Sequence, residues 1–552
     1  MEPHDYTWIF ALGIVASICD AFGIGSNDVA NSFASSISSG SLTMAQACII
    51  AVFTEFLGAL LLGSSTSETI KGGILSVERF VGQPELLMLG MLCALIGSAV
   101  WVISASKFGL PVSTTHSIVG AIIGVGIAAF GGEAIQWGYS GVAKIITSWF
   151  VSPAIAGIVT SIIYLPTRFF ILESPNSLER GIRAIPIYFF VTSAIGVFYI
   201  VYKGAPGTGA SEMHAGVIVG ISFGVATAVT AFSWVFFVKW LRRRVIGKEN
   251  LRWYHIPLVY NIKHRPMPPQ PDPAETSTVD AASAEASREL EIGTHPDGIE
   301  EKAVVRTKQC DDLNVSDSSN ADEPSSGEEQ ADSESRLLMI WKKIKYLALR
   351  GIRQDVRNIG NERLKDVHAA AKKFDDDTEY LFSFLQVITA CLASFSHGSN
   401  DVANAAGPIA SIYDTWRSAK VDESGSSPVP VWILAMAGAA IDLGLVTYGY
   451  HVMRRLGNGV TYLSPSRGFA AELGASLTVL TASQVGLPVS TTHCITGAIA
   501  AIGLCNGNFR ALNWKVLAWC TLSWILTLPI AGLTSGLLFA FGSNAPNNFI
   551  RG

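Results

Sequence analysis

Two strings dense in side-chain oxygen each occur twice in this 552-residue chain. Gly25–Asn31 and Gly398–Asn404 both read GSNDVAN, and Gly109–His116 and Gly486–His493 both read GLPVSTTH. A weaker echo pairs Ser148-Trp149 and Ile155-Ala156-Gly157 with Ser523-Trp524 and Ile530-Ala531-Gly532. The copies are offset by 373 residues (398 − 25), 377 (486 − 109) and 375 (523 − 148), so order and spacing persist and the chain is an internal duplication. Ser113, Thr114 and Thr115, like Ser490, Thr491 and Thr492, follow a proline and open an apolar run, which reads as a helix start. Unpaired N–H groups and the positive end of the helix dipole make such a start an anion site, and the hydroxyls add donors. Two facing copies can surround a tetrahedral oxyanion. Hydroxyls bonded back into their own helices are the structural alternative.

Neither motif supplies Lys or Arg, and Lys107 beside the first has Gln484 as its counterpart, so the anion's countercharge must come from elsewhere. Asp28 and Asp401, with Asn27, Asn31, Asn400 and Asn404, present the hard oxygen ligands that a small cation such as sodium prefers. Two other roles remain open for the aspartates. They can accept a hydrogen bond from a protonated oxyanion, which fully ionised sulfate does not offer, or they can cap a helix.

These motifs sit in a chain that is 49% hydrophobic and 15% charged, with a mean hydropathy of +0.37. Soluble proteins carry about 25% charged residues, so the expected class is an all-α integral membrane protein. About 12 apolar stretches are long enough, or nearly so, to cross a core of about 30 Å. Seven begin near Tyr6, Ala45, Leu86, Val112, Gly141, Ile185 and His214, and five near Leu381, Val429, Gly468, Val489 and Leu512. The N-terminal run lacks a basic leader and reads as a retained membrane segment. Residues 1–239 form a first membrane half, 240–380 a loop, and 381–552 a second half. From about Lys263 to Arg336 the loop is rich in Pro, Ser, Asp and Glu and is expected to be disordered. The segment near 336–352 reads as a basic amphipathic helix for an anionic membrane surface. The basic flanks place the loop in the cytosol and both termini outside, so the two halves are inverted repeats.

Under a simple threading the first copies of the motifs lie near the inner face and the second copies near the outer face. Polar groups at membrane depth must line a cavity or be satisfied by protein. The motifs are therefore expected to converge through broken or re-entrant helices, with Gly25, Gly109, Pro111, Gly398, Gly486 and Pro488 as the breaks. Other intramembrane acids are Asp20, Glu55, Asp442 and Glu472. Of these, Glu55 and Asp442 resemble an equivalent pair, Glu472 has no acidic counterpart near Met91–Leu95, and all three are candidates for coupling or gating. His116 and His493 read as packing residues, with proton relay as the alternative. The eight cysteines show no metal-ligand spacing, the single Gly23-Ile24-Gly25 is not a dinucleotide fingerprint, and no nucleophile with an orienting base stands out, so the chain does not read as an enzyme.

The duplicated GSNDVAN and GLPVSTTH strings around a long central loop resemble the inorganic phosphate transporter (PiT) family, and the chain is similar to its fungal sodium-coupled members. That resemblance covers all but the loop. It implies sodium and phosphate symport into the cell at the plasma membrane, an elevator-like shift of one domain and a homodimer in the bilayer. No cofactor besides the coupling sodium, and no nucleic acid, is implied. Carried over by motif position, phosphate ligands come from Asn27, Asp28, Ser113, Thr114, Thr115, Asn400, Asp401, Ser490, Thr491 and Thr492, and sodium ligands from Asn27, Asp28, Asn31, Asn400, Asp401 and Asn404. Proton coupling, or a phosphate sensor without net transport, are the alternative readings.

Overall fold

The computed structural model describes residues 2–203, 213–266, 362–422 and 427–544. The expected disordered stretch beyond residue 266, the amphipathic segment near 336–352 and Cys310 lie outside them. Among the described residues the chain is helical, with only isolated bridges at Leu75–Ile135 and Glu249–Pro266. It divides into a unit of Met1–Arg242 with Ile344–Gly552 and a unit of Arg243–Lys343. Within the second, Arg243 grips both carboxylate oxygens of Glu249 at 3.0 and 2.6 Å.

In chain order the helices of the first unit are α1 (Thr7–Ser38), α2 (Met44–Leu62), α3 (Ser64–Gly72), α4 (Pro84–Lys107), α5 (Thr114–Phe130), α6 (Val142–Leu172), α7 (Ser177–Lys203) and α8 (Ala215–Phe232). After the loop come α9 (Glu362–Ala370), α10 (Asp376–Ser418), α11 (Val431–Tyr448), α12 (Tyr450–Val460), α13 (Pro465–Gln484), α14 (Thr491–Cys505) and α15 (Trp514–Asn544). Each of the twelve expected apolar segments coincides with a helix. Nine helices among the described residues are long and apolar enough to cross a membrane, and α5 and α14 are shorter apolar helices.

Local chemistry sets the boundaries that matter. α4 and α13 begin with Pro84 and Pro465 in the first turn, where a missing N–H costs nothing. Both end at a glycine in the left-handed region, Gly109 at φ 63° and Gly486 at φ 65°. The C-caps match: Leu110 N–H bonds Ala105 O at 2.9 Å and Leu487 N–H bonds Ala482 O at 3.0 Å, closing the same turn on the same glycine. Pro111 and Pro488 then prevent the helix from resuming, and Ser113 and Ser490 cap α5 and α14. Each GLPVSTTH string is thus the tip of a helical hairpin, as expected.

GSNDVAN behaves differently from the expectation. Gly25 and Gly398 do not break their helices: α1 passes Gly25–Val29 as a single π turn, and α10 runs unbroken through Gly398–Asn404. The reason is that these glycines serve a helix crossing. A Cβ on Gly25 would lie 1.7 Å from Ile441 O of α11, and one on Gly398 would lie 2.1 Å from Glu55 O of α2. The polar atoms of the motif come from its side chains, so its peptide groups can stay in the helix ladder.

These crossings belong to a pattern of exchange. α1 packs on α11 and α10 on α2; α6 packs on α13 and α14, and α15 on α4 and α5. Each half of the duplication is completed by helices of the other. α7 and α8 pack mainly on one another.

Replacing Gly25 or Gly398 by Ala is expected to destabilise the protein by at least about 1–3 kcal/mol, the usual cost of overpacking, because backbone must move. Gly220→Ala in α8, where nothing lies within 4 Å, should change nothing. Thermal unfolding in detergent checks both.

Candidate ion and oxyanion site

The side chains singled out by their spacing meet in one buried cluster. Asn27 and Asn400 fasten each hairpin tip to the helix beside it. Asn27 donates to Leu110 O at 3.0 Å and accepts from Val112 N–H at 3.0 Å; Asn400 donates to Val489 O at 2.7 Å. Asn27 also donates to Ser106, while Ser483 donates to Asn400. These two asparagines are committed to holding the tips.

Asp28 and Asp401 tie the two tips to each other. Asp28 accepts from the Thr114 hydroxyl at 2.7 Å and backbone N–H at 3.3 Å on α5, and from the Thr492 hydroxyl at 2.6 Å on α14. Asp401 accepts from Thr491 at 2.6 Å on α14 and, more distantly, from Thr115 at 3.5 Å on α5. Asn31 donates to Thr492 at 2.8 Å, and Asn404 to Thr114 at 3.1 Å. All are buried. The carboxylates therefore occupy the helix-start donors that an oxyanion would use. Ser113 and Ser490 accept from the His116 and His493 N–H groups as caps, at 3.2 and 3.3 Å, so their first duty is structural.

Two features bear on a cation. The Oδ1 atoms of Asn31 and Asn404 are buried with no hydrogen-bond partner, one from each half. Asp28, Asp401 and His397 offer ligand atoms all within 4.8 Å of one another. The carboxylate and free amide oxygens, unlike the histidine nitrogen, are the donor type that a hard cation prefers. Beside Asp28, Asn31, Ser396, His397 and Thr491 is a void of about 20 Å³. A water needs about 10–15 Å³ by this measure, so the void suits one water-sized species and not a tetrahedral oxyanion.

His397 is the member of this cluster that the sequence does not single out. Its Nδ1 bonds Glu55, and its Nε2 lies 2.8 Å from Asp401 Oδ2, out of line for a hydrogen bond. It is the basic side chain that lies beside the aspartates, whose own motifs contain no Lys or Arg. The only signal was its position directly before the second GSNDVAN, where the first copy has Ile24. Glu55 also accepts from Ser394 at 3.0 Å. Asp442 is one residue out of step with it: the carbonyl that meets Gly25 belongs to Ile441, whereas the one that meets Gly398 belongs to Glu55. The two acids are therefore not equivalent. Glu472 lies apart from this cluster and accepts from Ser35, Ser36, Thr389 and Gln386 at 2.6, 2.5, 2.7 and 3.1 Å.

Behind the tips, His116 and His493 meet edge to face with ring centroids 4.6 Å apart. Each stacks on the tryptophan of its own half, Trp149 or Trp524, and directs Nδ1 at the carbonyl of the other's, at 3.5 Å for His116 and 3.1 Å for His493. A carbonyl partner requires an N–H at Nδ1. Both rings are thus held among aromatic and carbonyl groups, the surroundings that a packing role requires.

A duplicated helical frame with a buried polar centre and, among the described residues, nine helices long and apolar enough to cross a membrane is that of a membrane transport protein. The chain belongs to the phosphate transporter family, whose model matches residues 24–535. It is 37% identical to the phosphate-repressible phosphate permease pho-4 of Neurospora crassa, over 99% of both chains. It is 31% identical to the sodium-dependent phosphate transporter 2 of Felis catus, over 98% of both. A solved structure titled "The sodium-dependent phosphate transporter" aligns with a TM-score of 0.64 at 27% identity, covering 96% of this chain and 98% of that one. These relatives are transporters and permeases, and the chain is not an enzyme.

Thr492→Val should leave Asp28 buried without its partner from the other half, at a cost of about 1–3 kcal/mol. Phosphate uptake is expected to fall by about tenfold or more, Thr492→Ser to retain it, and Thr496→Val, whose hydroxyl is unpartnered, to leave it unchanged. Uptake in cells normalised to surface protein measures all three.

Proposed function

We propose that the protein is a sodium-coupled symporter that brings inorganic phosphate into the cell across the plasma membrane by alternating access. The observation that carries the reading is that Asp28 and Asp401 hold the threonine hydroxyls of both hairpin tips. Those hydroxyls and helix starts form an anion site already filled by the protein's own anions. Sodium bound by Asp28, Asp401, Asn31 and Asn404 turns the carboxylates toward the cation and releases Thr114, Thr115, Thr491 and Thr492 to phosphate. Asn27 and Asn400 keep the tips in place, and the helix starts capped by Ser113 and Ser490 face the substrate. Neither ligand then binds well alone, which is the condition for coupling.

In this reading the halves are inverted repeats, residues 1–239 and 381–552, the intervening loop is cytosolic and the termini are outside. The hairpins move as one body, elevator-like, in each subunit of a homodimer. Glu55 with His397, Asp442, and Glu472 adjust the charge of the moving body. The names of the mammalian relatives, sodium-dependent phosphate transporters, support sodium as the coupling ion.

Radiolabelled phosphate uptake into proteoliposomes under a sodium gradient, a proton gradient or neither decides the matter. Sodium-driven accumulation is expected for the unaltered protein, with a loss of at least about tenfold in Asp28→Asn and Asp401→Asn. Accumulation driven equally well by protons alone would overturn sodium coupling. Phosphate binding without accumulation under any gradient would make the protein a sensor.

A further inference from the structure

The seam between α1 and α4 carries a second polar pair beyond the one that holds the hairpin tip. At the tip, Asn27 donates to Ser106 at 3.1 Å. About two turns earlier on both helices, roughly 10 Å along the axis, Asp20 faces Ser98. Each is 1% exposed. Neither a carboxylate oxygen of Asp20 nor the Ser98 hydroxyl has a hydrogen-bond partner.

The duplication supplies the comparison. Shifted by the motif offsets of 373 and 377, Asn27 and Ser106 become Asn400 and Ser483, which also bond, at 3.4 Å. Shifted in the same way, Asp20 and Ser98 become Ala393 and Ala475. The same frame therefore packs with two alanines, and the acid is not there to hold the helices together.

The part of α1 that carries Asp20, Thr7–Ile24, packs against α4, α10 and α11, and the ionisable groups of those helices do not answer Asp20. On α4, Glu85 and Lys107 stand at the two ends. On α10, Asp376, Asp377, Glu379 and Arg417 lie in the first and last turns. Further along it His397 pairs with Glu55 and Asp401, and Asp414 with Lys71. On α11 the acid is Asp442, whose Oδ1 is itself buried without a hydrogen-bond partner.

An ionised carboxylate in such surroundings is strongly disfavoured unless a cation joins it. Sodium would need a shell of oxygens, and this seam offers the carboxyl and one hydroxyl. A proton needs no shell.

We propose that Asp20 is a proton-binding site, its carboxyl protonated while the α1/α4 seam is closed and its O–H directed at Ser98. Parting the seam admits water and lets the carboxyl ionise, and closing it requires the proton again. The closed state thus binds one more proton than the opened one, and acid favours closure. This inference stands whichever cation drives transport.

Infrared difference spectroscopy of the purified full-length protein reads the proton directly. At neutral pH a protonated-carboxyl stretch is expected in the unaltered protein, absent from Asp20→Asn and shifted in Ser98→Ala. The second measurement is the melting temperature against pH. The unaltered protein should match Asp20→Asn in acid and fall progressively below it as pH rises, because only the native acid must take up a proton to stay folded. No difference band between the two proteins, or a band abolished by adding sodium at constant pH, would overturn the proposal. If Asp20→Asn does not fold, an unshifted band in Ser98→Ala overturns it.

Discussion

A carboxylate at membrane depth is tolerated only if donors or cations surround it, and this chain carries two in its centre. Asp28 and Asp401 are answered mainly by threonines at the starts of α5 and α14. For Asp28 the donors come from both halves of the chain. Remove either tip and the other half is left with buried, unsatisfied charge. The duplication is thus held together by its most polar residues as much as by its apolar ones, and the halves cannot be considered separate domains.

The remaining architecture delivers those threonines to those aspartates. The tips must lie against α1 and α10, so Asn27 and Asn400 anchor the extended residues after each glycine turn. For α1 and α10 to bring their acids together they must cross α11 and α2 closely enough that Gly25 and Gly398 touch backbone. The final helices α6 and α15 then brace the opposite half's hairpin, through the crossed contacts of His116 and His493 with Trp524 and Trp149. Sequence spacing kept to within a few residues over a separation of about 375 follows from this, since a shift in either copy would misplace donors for both.

Much of this was legible in the sequence. The helices follow from hydropathy, because length and apolarity are what the bilayer demands. The meeting of the motifs follows from the cost of isolated polar groups at depth. What was not legible depended on atoms brought from another helix. Gly25 and Gly398 looked like breaks because glycine permits either a break or a close crossing, and only the neighbouring backbone decides. Ser113 and Ser490 looked equivalent to the threonines beside them, but the helix start uses them as caps. His397 sat outside the repeated string, and its partner Glu55 is more than three hundred residues away.

The departures from the duplicated pattern carry as much meaning as the pattern. Where the second half has His397, the first has Ile24; where α2 presents Glu55 to the crossing, α11 presents Ile441; Glu472 has Leu95 as its counterpart at the 377 offset. A perfectly repeated frame would give both halves the same charge and the same response to an ion. Here His397 bonds Glu55 and lies 2.8 Å from Asp401, while the hydrogen bonds of Asp28 come from hydroxyls and amide groups, with a His397 nitrogen within 4.8 Å. The repeat builds one shared centre, and the exceptions to the repeat give its two acids different surroundings.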